Sequence, residues 1–400
     1  MTRYERIGMI LDDSFPPDPR VENESACLIN QGYSVFLLVL GVKQEHTHDL
    51  HPQLHVEYID LPHWVRKKAS ALAYTLPIYH AVIFRSIRRF ILERKIDFIH
   101  VHDLRVARAV FWANHKDRLP LILDLHENRP AIMKHYAHVK SFPGNLLISA
   151  KRWAKFEVEL CNRAAKTIVV TNEAMHTYLS QKNIPREKLH VVANTVDDRF
   201  LQRSFQVAES ADKVSFIYIG DTSERRGLMD VINAVAILPD EVIKKIEIQI
   251  LGESSFQPQL QAQVRRFDLE GCVKLLGWVD YDGIHRQLQQ SHVGLCPLHR
   301  NEHHDTTYAN KLFQYMAYGL ALLVSDCSAQ ANLVVEEKCG SVHRAGAVDE
   351  IASSITWYSE NKAALHLQGR SGFAGLRKKH SLRSVQQSLA LLYDSVLNQA

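Results

Sequence analysis

Short, almost wholly apolar runs recur along the chain and alternate with amphipathic ones. The runs Ile7–Leu11, Val35–Leu40, Phe98–His102, Leu121–Leu125, Thr167–Thr171 and Leu189–Ala193 read as strands buried on both faces. Between them lie helical patterns such as Val21–Asn30 and Leu104–His115. The alternation then restarts with strands Val214–Gly220, Ile246–Gly252, Val273–Gly277, Val293–Pro297 and Leu322–Ser325. Its helices are Gly227–Leu238, Pro258–Phe267, Tyr281–Gln290 and Ala309–Tyr318. Strands that alternate with helices imply parallel sheets covered on both faces. The pattern predicts two doubly wound α/β domains, 1–197 and 205–381, with a break near Asn194–Gln206. A last helix, Leu382–Leu397, with apolar Val385, Leu389, Leu392 and Val396, is expected to pack back on the first domain. Two such sheets are expected to face a central cleft at the C-terminal ends of their strands, where open α/β sheets bind ligands.

Length and composition agree with this picture. The chain has 400 residues, 46% of them hydrophobic and 23% charged, which excludes wholesale disorder and fibrous repeats. Its six cysteines form no CxxC pair and read as reduced thiols of a cytoplasmic protein. The apolar run Ile7–Leu11 is too short for an export signal, and Ala69–Phe84 is too short to span a bilayer.

Charge changes the picture more. Residues 1–200 hold 28 Lys and Arg against 22 Asp and Glu, whereas residues 201–400 hold 20 against 22. The window 61–95 has eight basic residues and one acid, Glu93. Within it Ile83, Ile87, Phe90 and Ile91 fall on one helical face, with Arg85, Arg88 and Arg89 between them. Such a helix packs on a core with a solvated basic face, or lies on the inner face of an anionic membrane. Nucleic acid is not expected, because no recognition motif accompanies the charge.

Two segments at strand ends carry candidate chemistry. Gly220-Asp221-Thr222-Ser223-Glu224-Arg225-Arg226-Gly227 follows a strand and opens a helix. A glycine turn, a helix start and basic side chains suit a phosphate or diphosphate; a surface turn with solvated arginines is the plainer alternative. Asn310-Lys311 begins a helix whose glycine stop is Gly319. An anion at Lys311 would gain charge and helix-dipole stabilisation; otherwise the lysine is simply solvated. In the first half, Asp12 and Asp13 end the first strand and either contact an acceptor hydroxyl or cap the loop. Arg20, at a helix start, holds a phosphate or lies on the helix surface, and His102 ends a strand and is expected to face the cleft. The 22 histidines include His100 with His102 and the run His303-His304-Asp305, but neither matches a zinc pattern, so no metal is expected.

Five of these segments, in order, resemble glycosyltransferase family 4. They are Phe15–Val21, Asp124-Leu125-His126-Glu127, Val192–Asp197, Gly220–Gly227, and Asn310–Asp326 continuing to Glu336-Glu337 and Cys339-Gly340. The resemblance covers nearly the whole chain. It implies the GT-B fold of two Rossmann-like domains, with the nucleotide on the second. It implies a metal-independent hexosyltransferase that moves a sugar from a nucleotide diphosphate sugar, UDP- or GDP-linked, with retention, to a glycan or lipid-linked acceptor in surface polysaccharide synthesis. Arg226 and Lys311 would stabilise charge on the leaving phosphate, and His126 would contact the donor sugar or assist at the reacting centre. Gly220, Thr222, Arg225, Gly227, Asp305, Thr306, Asn310 and Gln314 would line the donor. The sequence departs from the family at three positions: Thr306 and Gln314 stand where glutamates are usual, and Asp221 stands where an arginine is common. A non-catalytic binding subunit and a nucleotide-sugar epimerase are the alternatives on the same fold.

Overall fold

The computed structural model describes every residue except 1–4, 45–49, 63, 71, 135–138, 140, 141, 143, 197–212 and 398–400. The expected break at Asn194–Gln206 therefore lies largely outside the described residues. The chain divides into two compact units, Met1–Asn194 with Leu382–Ala400, and Thr195–Ser381.

The first unit holds seven parallel strands: β1 (Arg6–Leu11), β2 (Ser34–Val39), β3 (His55–Tyr58), β4 (Phe98–His102), β5 (Leu121–Asp124), β6 (Lys166–Val169) and β7 (Leu189–Val191), in the order β3-β2-β1-β4-β5-β6-β7. One face packs against helices that include Ile78–Glu93 and Leu104–Ala113. The other is covered by Pro19–Asn30 and by the helix Leu382–Leu397, whose Val385, Leu389, Leu392, Tyr393 and Val396 join Met9, Leu28, Ile122 and Ile168 in one core. Register decides what meets at the sheet edge. Leu11 pairs with His102, and His102 with Asp124. The residues that end β1, β4 and β5 are thus neighbours, although more than a hundred positions separate the first from the last.

The second unit holds six parallel strands: β8 (Val214–Ile219), β9 (Ile246–Leu251), β10 (Val273–Gly277), β11 (Val293–Cys296), β12 (Ala321–Ser325) and β13 (Gly340–His343), ordered β10-β9-β8-β11-β12-β13. In each sheet the order reverses beside the first strand, between β1 and β4 and between β8 and β11. Ligands bind at such switch points in open α/β sheets.

The alternating pattern missed β3 and β13. It also passed over the helices Val348–Glu360 and Lys362–Lys379. The second of these contains Gly369, Gly372 and Gly375, a residue type of low helix propensity. Here they form a smooth face. A Cβ on Gly369 would lie 1.9 Å from the Gly319 carbonyl oxygen, and one on Gly375 would lie 2.2 Å from Glu337 Oε2. All six cysteines are free and buried. Among the described residues no helix is long and apolar enough to cross a membrane.

Candidate functional site

In the first unit the site grows from the end of β5. Asp124 is the last residue of that strand and is fully buried. Asp18 caps the helix Pro19–Asn30 by accepting from the Arg20 and Val21 N–H groups, which places Arg20 in the first turn. The Arg20 guanidinium then grips Asp124 in a two-point fork, Nε to Oδ2 at 2.9 Å and Nη2 to Oδ1 at 2.7 Å. Its Nη1 donates to the Val192 carbonyl at 3.1 Å and Asn194 Oδ1 at 2.9 Å, and its Nη2 makes an ion pair with Glu24 Oε1 at 3.0 Å. Arg20, expected to hold a phosphate or to lie on the helix surface, instead has a nearly buried side chain with its donors on protein acceptors. Its geometry is spent inside the fold, where a bidentate pair is strongest.

Asp124 holds His126 as well, since His126 Nε2 lies 2.9 Å from Asp124 Oδ2. Burial alone would lower the His126 pKa, but the Asp124 carboxylate and this hydrogen bond raise it to about 9, so the ring stays cationic at neutral pH. Beneath it His102 is fully buried, with Nδ1 3.1 Å from His126 Nε2 and 3.3 Å from Asp124 Oδ2. Burial and the neighbouring His100 lower the His102 pKa to about 3, so this ring is neutral. His102, expected to face the cleft, is buried instead, and it supports the His126 ring from beneath. His100 stacks on His102 and bonds through Nδ1 to the Tyr393 hydroxyl at 2.9 Å. Asp12 is buried and pairs with Arg105 Nε at 2.6 Å, whereas Asp13 is exposed and accepts from the Ser14 N–H, which is a loop cap.

Glu24, His100, His102 and Asp124 have ligand atoms within 4.8 Å of one another, a spacing that suits a metal ion. The donor set does not. Arg20 already sits between the two carboxylates, and Asp124 Oδ2 receives Arg20 and His126. The guanidinium is the cation of this cluster.

Sequence reasoning missed Glu24, Arg105, Arg129 and Tyr393. Glu24 had one signal, its spacing four residues after Arg20 on a helix. Arg129 follows His126 by three residues, whereas Arg105 and Tyr393 meet the site only through sheet register or the returning helix. Arg129 lies 3.0 Å from both Asp103 and Glu127, which fixes the loop that carries His126.

In the second unit the site is the turn after β8. Gly220 and Gly227 have φ of +117° and +71°, the left-handed region that glycine tolerates. A Cβ on Gly227 would lie 1.8 Å from the Pro297 carbonyl oxygen, so the loop passes against the end of β11. The Arg225 carbonyl accepts from the His299 N–H at 3.0 Å, and His299 Nε2 bonds Asp230 at 2.7 Å, tying the loop to the segment that follows β11. Lys311 comes from the first turn of the helix Asn310–Ala317. Its Nζ lies over the Tyr218 ring, 3.4 Å from the centroid and 3.5 Å from where a Gly220 Cβ would be. Burial, reinforced by nearby Arg226, lowers the Lys311 pKa to about 7. A neighbouring anion would restore its charge.

The other expected donor residues divide in two. Gly220, Arg225, Arg226, Gly227 and Lys311 cluster around the turn. Thr222 is fully buried and donates within the loop's support, 3.0 Å from Ser254 Oγ and Gln257 Oε1. Asp305 caps the helix Ser328–Glu337 through the Ser328 N–H and pairs with Arg300. The Thr306 hydroxyl donates back to the Glu302 carbonyl at 2.8 Å. All three have partners within the second unit: side chains for Thr222, and a backbone N–H or carbonyl near a helix end for Asp305 and Thr306. Asn310 is exposed at the helix start and Gln314 is half-buried one turn on.

Comparison with known proteins bears on the family and the fold. The glycosyl transferase 4-like domain family matches residues 17–195, and the glycosyl transferases group 1 family matches residues 213–361. The amylovoran biosynthesis glycosyltransferase AmsK of Erwinia amylovora is 24% identical over 180 residues, 45% of this chain. The matched segment spans 44% of that relative's own length. Among solved structures, HepE of Anabaena in complex with UDP has a TM-score of 0.70 at 16% identity, over 98% of this chain and 100% of that one. Sucrose-phosphate synthase of Thermosynechococcus elongatus has a TM-score of 0.73 at 12% identity, over 99% and 100%. WaaG, a glycosyltransferase involved in lipopolysaccharide biosynthesis, has a TM-score of 0.68 at 12% identity, over 96% and 98%.

Proposed function

Because the chain belongs to the glycosyltransferases that combine a 4-like domain with a group 1 domain on the GT-B fold, we propose that it moves a hexose from a nucleoside diphosphate sugar to a glycan or lipid-linked acceptor, with retention. The observation that carries this reading is the turn Gly220–Gly227 at the switch point of the second sheet, with Arg226 and Lys311 beside it. The leaving diphosphate gains negative charge as the bond from the anomeric carbon to its oxygen breaks, and fixed cations stabilise that charge. Arg226 and Lys311 take the place of a divalent metal. A donor phosphate oxygen accepts the proton of the attacking hydroxyl as the new glycosidic bond forms on the same face.

The test is a panel of UDP-, GDP- and TDP-sugars, followed by calorimetric binding, nucleotide release with EDTA present, and NMR of the product anomer. We expect binding and release with one donor class. No binding to any member sinks the reading. Binding without release to any acceptor favours a non-catalytic subunit, a possibility raised by Thr306 and Gln314 standing where glutamates are usual. A changed sugar without an acceptor identifies an epimerase.

Surface polysaccharide synthesis is the proposed setting, because AmsK and WaaG are named for such pathways. The segment 61–95 fits a lipid surface. Trp64, Leu76, Ile78 and Val82 are each 42–53% exposed, and Arg85 and Arg89 continue the outward face of the helix Ile78–Glu93. No acid occurs between Asp60 and Glu93. Apolar residues beside outward arginines suit an anionic bilayer. Flotation with phosphatidylglycerol vesicles is expected to carry the protein up, and Ile78→Glu with Val82→Glu is expected to cut the bound fraction about tenfold. Equal flotation of both proteins refutes the contact.

A further inference from the structure

The turn that carries Arg226 also carries its own anion. Asp221 stands one residue after Gly220, and its Oδ2 accepts from Arg226 Nε at 3.1 Å and from the Ser223 hydroxyl at 2.6 Å. Arg225 Nη2 lies 3.9 Å from the same oxygen. Oδ1 accepts from the Ser223 N–H at 3.2 Å, and the Tyr218 hydroxyl donates to the Asp221 carbonyl at 2.6 Å. Tyr218 is also the ring on which Lys311 rests. A carboxylate is therefore held against the loop's two arginines, on the same small scaffold as the third cation. Burial would raise the Asp221 pKa, but the Ser223 and Arg226 bonds lower it, so the carboxylate is charged throughout the neutral range.

Carboxylate and phosphate oxygens compete for the same guanidinium edge. We propose that Asp221 is an internal competitor, occupying Arg226 in the free protein, which a nucleoside diphosphate must displace in order to bind. The inference rests on the reading of this turn as the diphosphate site. It assigns to Asp221 the setting of donor affinity. A tightly held product diphosphate slows turnover, and a built-in anion that returns to Arg226 speeds its departure.

Asparagine separates this role from simple loop shaping. The Asn Oδ1 still accepts from the Ser223 N–H, so the turn persists while the charge goes. Calorimetric binding of UDP and GDP to the full chain is the measurement, with Asp221→Asn, Arg226→Ala, Lys311→Ala and the Asp221→Asn/Arg226→Ala double variant. Asp221→Asn is expected to bind about three- to tenfold more tightly, with a slower off-rate. Arg226→Ala is expected to weaken binding, and the gain from Asp221→Asn is expected to vanish on that background. If the two cation variants weaken binding while Asp221→Asn leaves it unchanged, the competitor role is overturned and the diphosphate site stands. If Mg2+ tightens the native protein and Asp221→Asn abolishes that gain, Asp221 is a cation ligand and the proposal fails. If Arg226→Ala and Lys311→Ala bind like the native protein, the diphosphate site itself is refuted.

Discussion

Replacing Lys311 with alanine is expected to cut transfer by about two to three orders of magnitude and to weaken nucleoside diphosphate binding with it. The ammonium lies on the Tyr218 ring beside Gly220, where the absence of a side chain leaves room for a phosphate. Its cost is its burial, which holds its pKa at about 7. In the free protein the group is therefore only partly charged at neutral pH, and the proposed diphosphate would drive it to full charge. Binding at pH 8 should take up protons, and affinity should fall as pH rises above about 7. Titrations in two buffers of different ionisation enthalpy measure the proton count directly. Lys311→Arg should keep the charge and lose the proton uptake. The sign for folding is opposite. The folded state prefers the neutral amine, while the unfolded chain holds the proton up to its ordinary 10.5. This group thus adds stability as pH rises from about 7 towards 10.5. Unchanged binding in Lys311→Ala would remove the lysine from the mechanism.

Arg20→Leu should have the largest effect on stability, about 3–5 kcal/mol, seen as a melting transition about 10 °C lower. The substitution leaves the Asp124 and Glu24 carboxyls inside the first unit without their cation. Removing one partner of a buried pair is worse than removing both. Arg20→Leu with Asp124→Leu should therefore recover part of the loss, at the expense of His126. The pH dependence has two limbs. Burial would raise the Asp124 carboxyl, but Arg20 and His126 hold it well below its ordinary range. Its contribution is present above about 3.8 and fades on acidification below that. His126 is raised to about 9, so its pairing contributes fully below 6.5 and is lost as pH climbs through 9. His126→Gln should abolish the alkaline limb and weaken the acid limb, where Arg20 still holds Asp124 low. A native-like melting point for Arg20→Leu would mean that the network is incidental to the fold.

The buried strands were legible because segments such as Phe98–His102 and Ala321–Ser325 are covered on both faces and need nearly unbroken apolar runs. Strand β3, His-Val-Glu-Tyr, is a half-exposed edge and gives no such signal. Strand β13 begins with Gly340, where a Cβ would lie 2.0 Å from the Leu322 carbonyl oxygen, so close packing replaced an apolar side chain. The turn Gly220–Gly227 and Lys311 could be read because strand, glycine and helix start are local features. The Arg20–Asp124 pair could not. Its members are 104 residues apart, and only the parallel register and the helix cap bring them together. Thr222, Asp305 and Thr306 lie where a ligand group was expected, yet their side chains turn to neighbouring backbone and polar supports.

Tyr393 gives the returning helix a role in biogenesis. Its hydroxyl bonds His100, which stacks on His102, which lies under His126. A ribosome releases residues 5–194 long before residues 382–397, with the whole second unit made in between. During that interval the core around Met9, Ile122 and Ile168 lacks the last helix's Val385, Leu389, Leu392 and Val396, and the histidine stack is one partner short. The first unit is encoded early and finished late, and the nascent chain must keep that apolar face from other partners until its own helix arrives.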